Sequence, residues 1–184
     1  MVHSYSLTQN LTQNRFLELR SQWVTVFGEH IQNAEGQTEE YWRVEKADSA
    51  IILPIHENHV ILPPPTYRPG VEAKTWDFPG GRIPEHQSLD TVLPNILNRE
   101  LGVEDKNLEF IPLNPTGWPV NSSFSNQCLY GFVVHLPPET EITSDFVGHR
   151  VPLTRWGIQD LLKRLVCLQC RAVLLEWWFL NGGG

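Results

Sequence analysis

Basic residues are scarce in this chain: 14 Lys and Arg stand against 21 Asp and Glu, a formal net charge of −7. Binding a phosphate backbone requires clustered cations, and those present are dispersed, so no nucleic-acid partner is expected. Cysteine is scarce too. Three residues are too few for a disulfide framework, and only Cys167 and Cys170 form a C-x-x-C pair. A structural zinc site usually needs four ligands and no second pair lies nearby, so these two are expected to be ordinary buried thiols on one helix face. No apolar run approaches the roughly 20 residues that span a bilayer. The strongest, AVLLEWWFL at 172–180, is interrupted by Glu176 and reads as a buried helix, so no membrane partner is expected. The opening MVHSYSLTQNLTQNRF has no cationic segment followed by an apolar core, which makes a cytoplasmic location the expectation.

What is present suffices for a globular protein. With 184 residues, 41% of them hydrophobic, the chain can bury a substantial core. Residues 12–22, TQNRFLELRSQ, are expected to form a short helix. WVTVFGEHI and TEEYWRVEKA alternate as two strands around the turn AEGQ at 34–37. AIILPI and HVILPPP, joined by HEN, read as a nearly all-apolar, central hairpin. Trp76–Phe78 is expected as a short strand leading into Gly80 and Gly81. LEFIPL and QCLYGFVVHL are two further strands, separated by a loop rich in Pro, Gly, Asn and Ser at 114–126. Ile158, Leu161, Leu162, Leu165 and Val166 recur at the spacing of an amphipathic helix, and a second helical run covers 171–180. Strands, helix, strands, helix, with hairpin-like rather than crossover connections, give an α+β class with a mixed sheet between helices. The expected division is a small helix-and-strand subdomain over 1–48, a main domain over 49–181 and a flexible glycine tail at 182–184.

The most informative stretch is FPGGRIPEHQSLDTVLPNILNRELGV at 78–103. Leu89, Val92, Leu93, Ile96, Leu97 and Leu101 fall on one stripe of a helix, with Ser88 as its N-cap and Gly102 as its stop. Pro94 lies inside that helix, where it removes a backbone hydrogen bond and crowds the preceding turn, at a cost of about 3 kcal/mol.

Taken with its neighbours, the string resembles the Nudix hydrolase signature: a glycine, five residues, Glu, seven residues, then Arg-Glu-apolar-x-Glu-Glu-x-Gly-apolar. With the first glycine on Gly81, the closing Gly102-Val103 falls in register. The flanks resemble the ADP-ribose pyrophosphatase branch, through Tyr67-Arg68, Trp76-Asp77-Phe78-Pro79-Gly80-Gly81-Arg82-Ile83 and the loop PTGWPVNSSFSNQ at 115–127. The resemblance implies a Nudix fold over residues 22 to 180 and hydrolysis of a nucleoside diphosphate linked to another moiety. It implies Mg²⁺ or Mn²⁺ held by helix carboxylates one turn apart. The acids themselves are mostly gone. Gln87 replaces the loop Glu, Asn95 the Arg, Ile96 the first helix Glu and Arg99 the first of the Glu-Glu pair, leaving Glu100 as the one remaining catalytic and metal-ligand candidate.

The resemblance places Gly80, Gly81, Arg68 and Arg82 against a diphosphate-type small-molecule ligand. Trp118 becomes a candidate aromatic at the pocket mouth, and Trp42, beside Tyr41, a candidate for stacking on a base across a homodimer interface. Glu85, Asp90, Glu104 and Asp145 flank the pattern out of register and read as solvated charges. The expectation is therefore a Nudix-like protein impaired in hydrolysis that binds a nucleotide-linked ligand or a partner. An active Mg²⁺-dependent hydrolase and a purely structural dimer are the alternatives.

Overall fold

The computed structural model describes residues 12–105 and 107–182, so the opening residues and two of the three tail glycines, Gly183 and Gly184, lie outside the described residues. Two units emerge, one from the described residues up to Ala47 with Pro119–Gln127, the other from Asp48–Trp118 with the chain from Cys128 onward.

The small unit is a three-stranded antiparallel sheet of β1 (Thr12–Arg20), β2 (Thr25–Gln32) and β3 (Thr38–Glu45), in that order. The expected turn between β2 and β3 is present. Asn33 Oδ1 accepts from the amides of Glu35 and Gln37 at 3.1 and 2.8 Å, and Gly36 adopts φ +79° there. The helix expected over 12–22 is instead β1, bulged in two places against β2. Cross-strand pairing explains the change: Arg15 on β1 donates to Glu29 on β2 at 2.9 Å, and Arg43 on β3 donates to the same carboxylate at 2.8 Å. Glu29 is only 1% exposed. Two guanidiniums, stacked 4.0 and 4.3 Å from the Phe27 ring, offset the cost of burying its charge. Hydrogen bonding from Arg43 first, and from Arg15 after it, holds the Glu29 carboxyl below its ordinary range. Tertiary pairing here outweighs local helix propensity. The segment Pro119–Gln127 joins β3 through the Val44 amide to the Phe124 carbonyl at 2.7 Å, and through Tyr41 Oη to the Ser123 carbonyl.

The large unit is organised on β4 (Ser49–His56), every residue of which is buried. It turns at Glu57-Asn58, both at positive φ, into β5 (His59–Leu62), as the hairpin reading requires. A separate ribbon, β6 (Thr66–Arg68) and β7 (Ala73–Thr75), leads to β8 (Gly80–Arg82) and then to helix α1 (Leu89–Leu101). There follow β9 (Phe110–Pro112), β10 (Trp118–Pro119), β11 (Cys128–His135), β12 (His149–Pro152), α2 (Arg155–Arg164) and α3 (Leu168–Leu180). The sheet order is β10-β11-β4-β5-β12, with β8 added to β4 and β9 to β11. Packed on one face, α1 sets Val92, Ile96, Leu97 and Leu101 against Ala50, Ile52, Phe132 and Val134. On the other face the missing side chain of Gly131 lets Val173 of α3 approach, where an added Cβ would stand 3.0 Å from it. The class is α+β, a mixed sheet with helices on both sides.

Further expectations are corrected. β11 runs parallel to β4, so the chain crosses over through α1 rather than returning by hairpins alone. Trp76–Phe78 is not a strand: β7 stops before it and β8 starts after it, because Pro79 has no amide to donate and Asp77 is engaged by side chains. The amphipathic helix ends at Arg164, leaving Val166 exposed, and Phe179 and Leu180 at the far end of α3 are also exposed although 172–180 reads as buried.

α1 itself forms as expected. Gly102 caps it at φ +67°, with its amide on the Asn98 carbonyl at 2.7 Å. Ser88 occupies the N-cap without a capping hydrogen bond to the backbone, and the helix runs unbroken through Pro94.

Candidate functional site

Topology makes the site. β8 pairs with β4 only at Ser49–Ile51 and β5 only at Ile55 and His56, so two strands share one edge of β4 and the sheet forks between them. In the fork the Ile52 amide is satisfied by the Pro79 carbonyl at 2.9 Å. Above it opens a cavity of about 540 Å³, within the range of small-molecule sites.

One wall comes from β8 and the last turn of α1. Gly80, Gly81, Arg82, Arg99 and Glu100 line it. The Arg99 guanidinium donates to the Gly80 carbonyl at 2.8 Å and to Glu100 Oε1 at 2.9 and 3.0 Å. Gly81 keeps this fit close: a Cβ there would stand 3.2 Å from the Ile96 side chain and 3.3 Å from Arg99 Nη2, so both would have to shift slightly. Ile96, 2% exposed, belongs to the apolar core.

A second wall comes from β6, the stretch before Pro79 and the start of α3. Arg68 donates to Asp77 Oδ2 at 2.7 Å, and Thr75 donates to the same oxygen at 2.9 Å. The bond to Asp77 is the main cause of a raised Arg68 pKa. Cys167 and Cys170 line this wall as well. The expectation of two buried thiols on one helix face holds for Cys170, 1% exposed within α3, and fails for Cys167, the half-buried N-cap of that helix, one turn before it. The Cys170 Sγ accepts from the Phe78 amide at 3.4 Å and lies 3.9 Å from Asp77 Oδ1. The Cys170 thiol, hydrogen-bonded to Cys167, is the main cause that lowers the Cys167 pKa to about 6, and the amides of Cys170 and Gln169 add to it. The same interaction, with burial, pushes Cys170 well up.

Ser49 lines the cavity. Among the described residues its Oγ is a buried side-chain oxygen with no hydrogen-bond partner. Such a group costs about 1–3 kcal/mol, and sites that receive a ligand tolerate it.

A hard divalent cation takes six or more oxygens. This donor set does not fit one: Glu100 and the Gly80 carbonyl both already serve Arg99, and a buried isoleucine occupies the position one turn before Glu100. Glu85, Asp90, Glu104 and Asp145 are exposed, and none lines the cavity. Among the described residues, one group has three potential ligand atoms within 4.8 Å of one another: Asp77, Cys167 and Cys170.

Of the residues expected from sequence, Arg68, Gly80, Gly81, Arg82 and Glu100 come together in this cavity. Trp118 does not line it; it sits half-buried on β10, its ring facing Gly131. Trp42 lies in the small unit, 41% exposed, edge-on to Phe16 at 5.6 Å with its indole N–H on Glu40. Ser49, Asp77, Arg99 as a paired cation and the Cys167–Cys170 wall were not anticipated. The C-x-x-C spacing was the available signal for the last.

No family model and no curated protein matches this chain. Among solved structures it is similar to a crystal structure described as an ADP compounds hydrolase, with a TM-score of 0.74 and 24% identity, covering 98% of this chain and 99% of the other. That likeness shows the fold, and it spans essentially the whole of both chains.

Proposed function

We propose that the chain is a Nudix-fold protein whose cavity binds a nucleoside diphosphate linked to another moiety, and that its hydrolytic activity is lost or much weakened. One observation carries this reading: the guanidinium of Arg99 holds the Gly80 carbonyl and Glu100, the position at which the Nudix pattern would seat a metal. A fixed organic cation can neutralise phosphate charge, but it cannot lower the pKa of a bound water as a divalent metal does. Arg68, Arg82 and Arg99 face the cavity alongside two carboxylates, each of which is already hydrogen-bonded to an arginine. The lining therefore suits an anion, with bidentate guanidinium contacts as the means of recognition. The whole-chain likeness to an ADP compounds hydrolase supports the nucleotide part of the proposal. The unpartnered Ser49 Oγ supports occupancy of the cavity by a polar ligand.

The test pairs binding with turnover. ADP-ribose is expected to raise the melting temperature of the natural protein, while AMP release with Mg²⁺ or Mn²⁺ stays at background. The Ile96→Glu, Arg99→Glu variant is expected to gain metal-dependent release. Robust turnover by the natural protein would reject the impairment, and no thermal shift with ADP-ribose or related nucleotides would reject the ligand class. The same reading includes a homodimer, for which the exposed aromatics Phe16 and Trp42 on the small sheet are the candidate surface; light scattering checks it.

A further inference from the structure

The second wall of the cavity carries chemistry that nucleotide binding does not use. Cys167 caps a helix of 13 residues, is partly exposed toward the cavity, and is flanked by Val166 and Leu168, 65% and 74% exposed. Cys170 follows one turn later and is sealed from solvent. We propose that Cys167 and Cys170 form a thiol–disulfide exchange site, with Cys167 as the attacking sulfur, Cys170 as the resolving thiol and a small-molecule disulfide as the substrate.

The geometry divides the roles. A sulfur that attacks must be reached from outside, and of the two only Cys167 can be. A resolving thiol must lie within bonding reach of the first and be shielded from competing reagents, as Cys170 is: its Sγ, that of Cys167 and an Asp77 oxygen lie within 4.8 Å of one another. Asp77 completes the arrangement. Its Oδ2 is tied down by Arg68 and Thr75, which leaves Oδ1 fixed 3.9 Å from Cys170 Sγ, in position to take the Cys170 proton. The thiolate of Cys167 is available near neutral pH, its pKa of about 6 set first by the Cys170 thiol and then by amides at the start of α3. The charged groups facing the pair are Asp77 and Arg68.

The steps balance. The Cys167 thiolate attacks one sulfur of R–S–S–R, forming Cys167–S–S–R and expelling R–S⁻. Cys170 passes its proton to Asp77, and its thiolate attacks Cys167 Sγ and expels the second R–S⁻. Two electrons leave the dithiol, the substrate disulfide becomes two thiols, and the protein closes a Cys167–Cys170 disulfide across the C-x-x-C spacing. Zinc capture by the same three groups is the competing reading. It is disfavoured because three protein donors converge there, whereas a closed zinc site uses four.

The full chain, reduced and desalted, is incubated with glutathione disulfide and its intact mass read without reductant. The natural protein is expected to lose two hydrogens with no lasting adduct, the bridge mapping to 167–170 and reopening with dithiothreitol. Cys170→Ala is expected to hold one glutathionyl group on Cys167, and Cys167→Ala to leave Cys170 unmodified. At pH 6, Cys167 should label with iodoacetamide about tenfold faster than a free unperturbed thiol, the gain in thiolate fraction exceeding the loss in nucleophilicity. Asp77→Asn should slow ring closure several-fold while leaving attack intact. The proposal is overturned if the natural protein stops at a mixed disulfide, if Cys128 or Cys170 is captured first, or if stoichiometric zinc co-purifies and blocks labelling. Should Cys170→Ala not fold, Cys170→Ser and the mapped bridge of the natural protein decide the matter alone.

Discussion

The two walls of the cavity are built from similar parts and differ in what stands beside them. Each sets an arginine against a carboxylate: Arg99 with Glu100 on one side, Arg68 with Asp77 on the other. On the first wall the guanidinium binds Glu100 through Oε1 alone and takes the backbone, at the Gly80 carbonyl, as its second acceptor. On the second, the guanidinium takes one oxygen of Asp77 and leaves the other pointed at a thiol. What an ion pair prepares therefore depends on which group stands beside the oxygen it leaves over.

The largest effect should come from rebuilding the first wall. Ile96→Glu with Arg99→Glu places a carboxylate at a position 2% exposed, beside two more, and should destabilise the protein by about 4 kcal/mol in metal-free urea titration. Millimolar Mg²⁺ should restore a good part of that loss. No recovery would mean that the wall cannot form a metal site even with its acids returned.

A smaller effect should separate the second wall. The Cys167 pKa lies near 6 in the folded chain, below the ordinary thiol value, so from about pH 6 to 8.5 the unfolded state binds more protons and stability rises with pH. The contribution is complete above the unfolded pKa and is lost as pH falls through 6. For a half-exposed group this amounts to about 1 kcal/mol, and Cys167→Ser in reducing buffer should flatten the slope. An unchanged slope would make the two walls alike in their inertness.

The smallest effect is predicted for Arg99→Gln. The Arg99–Glu100 pair is exposed, at 58% and 31% of the side chains, so stability should fall by only about 0.5 kcal/mol. Calorimetry with ADP-ribose should nevertheless show weaker binding. If affinity holds while Arg68→Gln abolishes it, recognition belongs to the second wall alone.

How far the sequence revealed this arrangement varies along the chain. The hairpin of β4 and β5, the α1 stripe and the Gly102 stop were readable because period, turn and cap agree locally. The glycine-to-helix register likewise placed Gly80, Gly81, Arg82 and Glu100 in one site. β1 was misread because its strand character comes from Arg15 reaching Glu29, 14 residues away. The Asp77–Cys170 approach spans 93 positions and leaves no local trace. Trp118 was legible as a loop aromatic, but which surface it would face depends on how β10 meets β11.

Pro94 has a consequence of its own. With no amide to donate to the Asp90 carbonyl, it leaves the first turns of α1 joined to the last by one rung fewer than in an ordinary helix. Hydrogen exchange should therefore divide the helix in two, with early release of the amides before Pro94 and retention of those from Ile96 to Leu101. The half that holds the glycine loop in place would then keep its shape while the half nearer Ser88 opens and closes, so that breathing of this helix need not reach the cavity.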